Sequence, residues 1–274
     1  MMTEFERLHL PRVTLCAVSS VNLEATKRAL EFSLRLVRFG ACKLLTDVVS
    51  STVHSEIEIV PITPLRSSTA YSEFMQLELH KYVDTSHCLV TQWDGHVLNP
   101  ACWRNEFLEY DYIGASWPQY DDGHDVGNGG FSLRSQRLMR LCENPTFITS
   151  HPEDVAIGRD NRKWLEEQGM RFASRELADL FAAERTGDLK KTFGFHGAWN
   201  MPTAIGVEDF WKIYRELNER SSIAPDFRSL VRAIGAGQNA SSRQLRMCVD
   251  RLRDALKGWS QGSRNAVASF GNAP

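Results

Sequence analysis

The sequence lacks the features that mark several large classes of protein. No apolar run approaches the ~20 residues needed to cross a bilayer, and the opening segment MMTEFERLHLP is too polar for a signal peptide. Neither charge is in excess, because the formal net charge is −2, whereas general nucleic-acid binders are usually strongly basic. We therefore expect no transmembrane segment and no nucleic-acid partner.

Cysteine pairs and internal repeats are also missing. The six cysteines contain no C-x-x-C spacing, and most of them lie beside apolar residues, which is typical of reduced core cysteines in a cytoplasmic protein. What is present is ordinary: 274 residues, of which 42% are hydrophobic and 24% charged. This composition predicts one large globular domain with an appendage.

The first third of the chain alternates predicted strands with predicted helices. Strands are expected over residues 13–18, 42–46, 56–60 and 87–92, and helices over residues 23–39 and 68–83. Pro11 is expected to precede the first strand, and Gly40 is expected to end the first helix. This order favours an α/β fold with a mainly parallel, Rossmann-like sheet flanked by helices, with ligand chemistry at the carboxyl ends of the strands.

Polar side chains follow these predicted strands. The positions after the first two strands hold Ser19, Ser20, Asn22 and Asp47; these residues either bind a ligand or cap turns. The fourth strand runs into Trp93, Asp94 and Gly95. A carboxylate at such a place can present an oxygen to a cation, and the alternative is a plain Asp-Gly turn.

The chain is organised around residues 110–135, which read YDYIGASWPQYDDGHDVGNGGFSLRS. Three glycines in four positions, at 127, 129 and 130, allow positive φ and the close approach of another group. The alternating residues 131–134 then predict a strand. The acidic, aromatic loop before the glycines indicates a surface shaped around a polar ligand. The alternative is a glycine-rich hairpin beside a solvated loop.

Two later segments carry further candidate groups. Glu153 and Asp154 follow Pro152 at the expected start of a helix, where acids are also favourable simply as capping charges. A helix is expected over residues 176–184 and an alternating segment over residues 191–200. An isolated histidine is usually structural, but glycines flank His196 in that segment and clear space around its ring, which makes a ligand role the alternative to a structural one.

From residue 207 onward the pattern is that of amphipathic helices. One face of the last helix carries an apolar stripe, and the other carries several basic residues; the stripe consists of Leu245, Val249, Leu252 and Leu256. We expect the stripe to pack on the main domain or on another subunit as a homodimer. A weak membrane-surface contact through the basic face is the alternative. Residues 1–204, 205–260 and 261–274 are thus interpreted as main domain, helical extension and disordered tail.

Several of these motifs together point to a family. The motifs are Gln92-Trp-Asp94, Tyr110-Asp-Tyr-Ile-Gly114-Ala-Ser-Trp117, Gly127-Asn-Gly-Gly-Phe-Ser-Leu-Arg134, Glu153-Asp154-Val155 and Phe195-His196-Gly-Ala-Trp199. Over residues 13–200 their combination resembles the DUF5672 group. That group is similar to the GT-A nucleotide-sugar glycosyltransferases. The resemblance implies a GT-A-like sheet with a helical C-terminal extension outside it.

The resemblance also implies roles for individual residues. Asp94 matches one acid of the Asp-x-Asp motif, whose other acid is replaced here by Gln92, and His196 matches a late histidine ligand. Together Asp94 and His196 would hold Mn²⁺ or Mg²⁺ against a donor diphosphate. Asp154 matches the general base of inverting enzymes, and Glu153 would orient the acceptor or substitute for that base.

Binding roles follow from the same resemblance. The nucleotide donor would contact the strand-end residues, which are Ser19, Ser20, Asn22, Asp47, Gln92 and Trp93. The sugar and the acceptor would contact the central stretch through Trp117, Asn128, Gly129 and Gly130. Trp93 and Trp117 would stack on a ring, unless they are core residues.

The resulting expectation is a cytoplasmic, metal-dependent, inverting glycosyltransferase of polysaccharide biosynthesis. It would use a UDP- or GDP-sugar and a glycan or lipid-linked glycan acceptor. Two alternatives stay open. One is a metal-dependent nucleotidyltransferase or phosphoesterase, although such enzymes need a denser carboxylate cluster or a basic phosphate loop. The other is a non-catalytic nucleotide- or sugar-binding module with the same fold, which Gln92 favours.

Overall fold

The computed structural model of the protein describes residues 6–49, 54–235 and 239–270, with residues 257–270 described as backbone only. The chain forms two compact units, Met1–Asn200 and Met201–Pro274. The sequence placed the boundary after residue 204, and the division found here comes after Asn200. All functional residues proposed from the sequence belong to the first unit.

The first unit is mixed α/β. Its strands are β1 (Leu8–Val18), β2 (Val37–Thr46), β3 (Glu58–Pro61), β4 (His87–Thr91), β5 (His96–Val97), β6 (Tyr112–Ile113), β7 (Phe131–Ser135), β8 (Ala182–Ala183) and β9 (Gly194–Phe195). Its helices are α1 (Leu23–Leu36), α2 (Ser68–Leu77), α3 (Gln136–Leu141), α4 (Glu153–Val155), α5 (Arg162–Glu167) and α6 (Arg175–Phe181).

Six strands form the central sheet in the order β3-β2-β1-β4-β7-β6. The first four are parallel to one another, and β7 runs antiparallel to β4 with Thr91 opposite Phe131. The predicted mainly parallel, Rossmann-like architecture is confirmed. Because β7 is reversed, its amino end lies at the same edge as the carboxyl ends of the parallel strands, so the glycines before it lie beside the end of β4.

Hydrophobic clusters cover both faces of this sheet. Alternate residues of the central strands point to opposite faces: Leu15 and Leu89 belong to the cluster that includes Leu30 of α1, while Cys16 and Val90 pack with residues of α2. Burial on both faces explains why these strands read as continuous apolar runs and not as alternating ones.

A second, three-stranded sheet in the order β5-β9-β8 stands beside the first. The strand β9 pairs antiparallel with β5, which puts Phe195 opposite His96, and it pairs parallel with β8, which puts Phe195 beside Ala183. This small sheet is too short to be read from periodicity, and it brings together three segments that are remote in sequence.

Two predicted boundaries near the start of the chain are wrong. Gly40 lies inside β2 and does not end a helix, because α1 stops at Leu36. Pro11 lies inside β1, at a register shift between Leu10 and Thr14. The two residues are close together: a Cβ on Gly40 would lie 2.3 Å from the carbonyl oxygen of Pro11, so the approach of the two strands requires glycine at position 40.

The second unit is helical, with α7 (Met201–Ala204), α8 (Val207–Glu216), α9 (Phe227–Ala233) and α10 (Ala240–Phe270). The helix α10 continues through residues 261–270, where composition predicted a disordered tail. Once a helix is nucleated, each further residue adds a hydrogen bond at little cost. The final four residues of that predicted tail lie outside the described part. Among the described helices, none combines the length and apolarity that spanning a bilayer requires.

Candidate functional site

Asp94 and His196 meet at the edge where β4 ends. Asp94 lies two residues before β5, and His196 directly follows β9, so the pairing of β5 with β9 brings the two side chains together. His196 Nε2 lies 3.4 Å from Asp94 Oδ1. The expected proximity of these residues is therefore found, and its cause is the small sheet.

The two facing atoms have only each other as partners. Asp94 is only 4% exposed, and its Oδ2 accepts a hydrogen bond from the Ala198 amide at 3.1 Å. Within the described part of the chain, Asp94 Oδ1 and His196 Nε2 are buried and make no hydrogen bond to any other group. Such poorly satisfied buried atoms are uncommon in folded proteins. Their contact is an ion pair when His196 is protonated, and a bound cation is the alternative.

Two further side chains reach the other ring nitrogen of His196. Glu184 Oε1 lies 3.3 Å and Asn128 Nδ2 lies 3.1 Å from His196 Nδ1. Burial alone would lower the pKa of His196, but the charge and hydrogen bonding of Asp94, followed by those of Glu184, outweigh burial and raise the pKa to about 10.

Glu184 is the site residue that sequence reasoning missed. It was placed in the last turn of a helix over residues 176–184, but α6 ends at Phe181 and the chain turns into β8. The small residues Ala182 and Ala183 after the helical pattern fit a two-residue strand, yet a strand that short gives no usable periodic signal. Only its pairing with β9 reveals it.

The glycine turn links this pair to the acids of α4. Asn128 has a left-handed backbone (φ 64), and its Oδ1 accepts a hydrogen bond from the Gly130 amide at 2.9 Å. Gly129 and Gly130 do not have positive φ; they are glycines because other side chains approach their backbone closely. A Cβ on Gly129 would lie 2.0 Å from Glu153 Oε1, and one on Gly130 would lie 2.0 Å from His196 Nε2. The protein's own side chains occupy the space that these glycines leave.

We expect Gly130→Ala to disrupt the site more than the fold. The added methyl group would overlap the His196 ring, so the ring must move away from Asp94. Ligand-dependent thermal stabilisation should be lost. Gly123→Ala would serve as a control for an added methyl group, because a Cβ there meets nothing within 4 Å, although the positive φ of Gly123 (78°) adds some strain. A Gly130→Ala protein that binds ligand like the wild type would contradict this account of the turn.

Asp154 lies beside the same turn. Its Oδ2 accepts a hydrogen bond from the Gly129 amide at 3.2 Å. Burial, and then the charge of Glu153, raises the pKa of Asp154 to about 6, although the amides of Gly129 and Val155 oppose the rise. A carboxylate that only capped a helix would have a lowered pKa. The raised value is what a general base operating near neutral pH requires.

Glu153 has a different environment from its neighbour. It is buried, with Oε1 3.3 Å from the Arg134 guanidinium and Oε2 accepting a hydrogen bond from Ser72 at 3.4 Å. Arg134 is itself fully buried. These contacts fit a support for the glycine turn. The role that the resemblance implied, in orienting the acceptor or substituting for the base, stays a prediction.

The strand-end residues lie along one edge, because β2, β1 and β4 are neighbours. Ser20 Oγ accepts a hydrogen bond from the Leu65 amide at 3.3 Å, and Ser19 Oγ donates to the carbonyl of Val21. Asn22 is buried, with a left-handed backbone, as the residue before α1. Asp47 Oδ1 is buried and has no hydrogen-bond partner among the described residues. A buried acceptor without a partner among the described residues is thus present at Asp47.

The remaining predicted binding residues face the protein interior. Gln92 Nε2 donates to the Tyr71 hydroxyl at 3.1 Å, so the amide that replaces the first acid is bound to α2. Trp93 and Trp117 are both buried, and Trp117 contacts the backbone of Gly127. Their burial favours the core alternative over stacking on a ligand ring.

The ligand set for a cation is small. Among the described residues, no group of three or more His, Cys, Asp or Glu side chains is arranged to hold a metal ion. Asp94 and His196 are thus two ligands at most, and a substrate and water would have to supply the others. Adjacent ligands of a cation bound at roughly 2.1 Å lie about 3 Å apart, so the separation of 3.4 Å fits a shared ion.

Comparison with known proteins identifies a family but does not assign an activity. A search of curated proteins finds no match. The model of the family "Protein of unknown function (DUF5672)" matches residues 54–196. The match begins after β2, so the first two strands lie outside it, although the resemblance noted from the motifs began at residue 13. Because the match covers more than half of the 274 residues, the chain belongs to the DUF5672 family.

Proposed function

We propose that this protein is a metal-dependent, inverting glycosyltransferase that moves a sugar from a nucleotide diphosphate sugar to an acceptor hydroxyl. One observation carries the proposal. Asp94 Oδ1 and His196 Nε2, which have no other hydrogen-bond partner among the described residues, face each other at 3.4 Å, and the glycine turn joins them to Asp154, whose pKa is raised to about 6. Sugar transfer of this kind needs at least a cation site and a nearby carboxylate that can accept a proton near neutral pH.

The division of labour follows from these contacts. Asp94 and His196 would hold Mn²⁺ or Mg²⁺, which when bound would supply positive charge to a leaving diphosphate. Asp154 accepts the proton of the acceptor hydroxyl, since a sugar hydroxyl is too weak an acid to lose it unaided. The Gly129 amide, which donates to Asp154, keeps that carboxylate oriented. The buried ion pair of Arg134 and Glu153 supports the glycine turn.

The donor would lie along the strand-end edge. The free Oδ1 of Asp47 is suited to accept a hydrogen bond from a ribose hydroxyl or a base N–H group, while Ser19, Ser20 and Asn22 lie after the adjacent strand. A UDP- or GDP-sugar carries all of these donor groups together with the diphosphate. A glycan or lipid-linked glycan, handled in the cytoplasm, is the proposed acceptor.

One competing function has an observation in its favour. A binding module without catalysis would need no second metal acid, and Gln92 is bound to Tyr71 instead of facing a ligand. The presence of Asp94, Asp154 and His196 around one glycine turn argues against this alternative. A nucleotidyltransferase is less favoured, since the described residues include no cluster of three acids or other ligands suited to a metal.

Two measurements test the proposal. Melting of the full chain should be followed with UDP, GDP and Mn²⁺, separately and together. A ligand at 100 times its Kd adds about 2.7 kcal/mol to the free energy of unfolding. Release of nucleoside diphosphate from a panel of UDP- and GDP-sugars then separates an enzyme from a module. Binding without turnover across the panel would favour the module, and no stabilisation by either nucleotide would refute a nucleotide site.

The C-terminal helix offers a surface for a second copy of the chain. Leu245, Leu252 and Leu256 are 66%, 66% and 68% exposed, while Met247 on the opposite face of α10 is buried. The stripe repeats at intervals of four, three and four residues, as in a coiled-coil seam. In a parallel pair, the edge with Arg246 and Arg253 would face the edge with Cys248 and Ala255, so no like charges would meet.

We therefore expect the full chain to be a dimer and Leu252→Lys to be a monomer, because a charge in the seam would be desolvated. Light scattering after size-exclusion chromatography measures the mass. Val49→Lys is the matched control, since Val49 is also exposed but lies in the first unit. A wild-type monomer that binds vesicles of anionic lipid would instead favour the membrane-surface alternative.

A further inference from the structure

The imidazole of His196 has carboxylates on both sides. Asp94 Oδ1 lies 3.4 Å from Nε2, and Glu184 Oε1 lies 3.3 Å from Nδ1. The Glu184 side chain is 13% exposed and that of His196 15% exposed, so solvent does not screen these contacts fully. When a cation displaces the hydrogen from one nitrogen, the ring becomes neutral, and the surrounding groups decide which nitrogen keeps the remaining hydrogen.

Asn128 also reaches Nδ1, but it has the opposite hydrogen requirement. Its Oδ1 accepts hydrogen bonds from the amides of Gly130 at 2.9 Å and Phe131 at 3.3 Å, which identifies the other terminal atom as the NH₂ group. That group, 3.1 Å from Nδ1, can only donate. Asn128 therefore favours a bare Nδ1, whereas the carboxylate of Glu184 favours a protonated one.

A cation on Nε2 requires a lone pair there, and so a hydrogen on Nδ1. Glu184 is the acceptor placed to receive it. Histidines that bind metals almost always donate their other N–H group to a carboxylate, carbonyl or water, and this contact fixes the orientation of the ring. The direction of the Glu184 contact matches that arrangement.

The backbone holds Glu184 in register with His196. The pair Ala183 and Phe195 is the last rung between β8 and β9, and the next residues along each strand are Glu184 and His196. The His196 amide donates to the Ala183 carbonyl at 3.0 Å. The Glu184 carbonyl accepts hydrogen bonds from Trp199 Nε1 at 3.2 Å and Asn200 Nδ2 at 3.0 Å. Glu184 is thus fixed at both its backbone and its carboxylate.

We propose that Glu184 is a positioning residue that holds the hydrogen of His196 on Nδ1 and so directs the Nε2 lone pair toward Asp94 and a divalent cation. The inference rests on the cation site of the proposed function and adds to it a residue that orients the ring of His196. Glu184 touches neither the cation nor the substrate and acts only through the ring.

The test measures Mn²⁺ affinity from the EPR signal of free Mn²⁺, on the full chain without donor. Glu184→Ala should raise the Kd by roughly 10- to 100-fold, the usual effect of losing such a partner. Glu184→Gln, whose amide oxygen still accepts a hydrogen bond, should recover part of that affinity. Glu167→Ala is the control, because Glu167 is an exposed glutamate of the same unit and should bind like the wild type.

A second measurement reads the ring itself. In ¹⁵N-histidine-labelled protein with saturating Mg²⁺, the His196 signals, assigned by their loss in His196→Gln, should show the hydrogen on Nδ1 in the wild type. In Glu184→Ala the fraction in that form should fall. This readout distinguishes positioning from general destabilisation, which would leave the hydrogen arrangement of the folded fraction unchanged.

The outcomes separate the two proposals. If the wild type and Asp94→Asn bind Mn²⁺ equally, or neither binds it, the cation site is wrong and the inference fails with it. If Asp94→Asn abolishes binding while Glu184→Ala retains wild-type affinity and the Nδ1 hydrogen, the cation site stands and the role of Glu184 is refuted.

Discussion

Asp154→Asn is expected to lower the rate of sugar transfer by on the order of 10² to 10⁴, the usual effect of removing a general base. The amide keeps the shape of the side chain and can still accept the hydrogen bond that Gly129 donates to Asp154. It cannot accept the proton of the acceptor. Donor binding, measured by thermal shift with the nucleotide found to bind, should stay close to that of the wild type.

Stability should move in the opposite direction from the one that a helix cap predicts. Because the pKa of Asp154 is raised to about 6 in the folded protein, the folded state disfavours the ionised form, and that cost is present at pH values above about 6. Removing the charge should therefore leave the melting temperature at pH 7.5 unchanged or higher. If Asp154 were only a helix N-terminal charge, Asn would lower the free energy of unfolding by about 0.3 to 1 kcal/mol.

The same pKa gives a pH profile for the wild type. Since the base must be ionised, kcat/KM should rise as the pH increases through about 6 and then level off. Asp84→Asn is the control for the chemical change, because the Asp84 side chain is 91% exposed. Wild-type turnover in Asp154→Asn would refute the assignment. The base should then be sought in the loop with Asp121, because Asp122 and Asp125 are paired with Arg159 and Arg175.

Asp94→Asn is expected to abolish cation-stimulated turnover. A cation that stabilises developing charge contributes several kcal/mol to the transition state, so a loss of on the order of 10²-fold or more is expected. Alanine is a poorer choice than asparagine. Asp94 is 4% exposed and binds the Ala198 amide, so truncation would leave a cavity and an unpaired amide.

The charge change also affects stability, and its sign follows from His196. The pKa of His196 is raised to about 10 by its carboxylate partners, so the pairing stabilises the folded protein fully below about pH 6.5 and is lost as the pH rises through about 10. Asp94→Asn should therefore melt at a lower temperature than the wild type at pH 7, without added cation. At pH 11 the difference should be much smaller.

The decisive comparison is the shift in melting temperature that Mn²⁺ produces. Mn²⁺ should stabilise the wild type and the Asp84→Asn control, and it should leave Asp94→Asn unchanged. Full turnover of Asp94→Asn in excess chelator would remove the cation from the proposed function. The orphaned Asp94 Oδ1 would then have to be explained by the direct ion pair with His196 alone.

Local sequence patterns predicted the parallel half of the fold well. The apolar runs that became β1, β2 and β4, and the helical spacing that became α1 and α2, are properties of a few neighbouring residues, so they can be read without the rest of the chain. Boundaries failed where strand pairing decided them, as at Gly40, which lies in β2 because β2 pairs with β1, and which is glycine because the Pro11 backbone lies close to it. The reversed direction of β7 was likewise not visible locally.

Local patterns in the chain were enough to predict the class of the fold and most of the chemical groups at the site: a carboxylate after β4, a glycine turn, an acidic pair and a late histidine. The tertiary structure sets how these groups are arranged. It paired β5 with β9 and so brought Asp94 to His196; it buried Glu153 against Arg134 while raising the pKa of Asp154; and it placed Glu184 beside His196 through two residues of β8. Periodicity is a local signal, whereas burial, pairing and charge coupling depend on residues far apart in the chain.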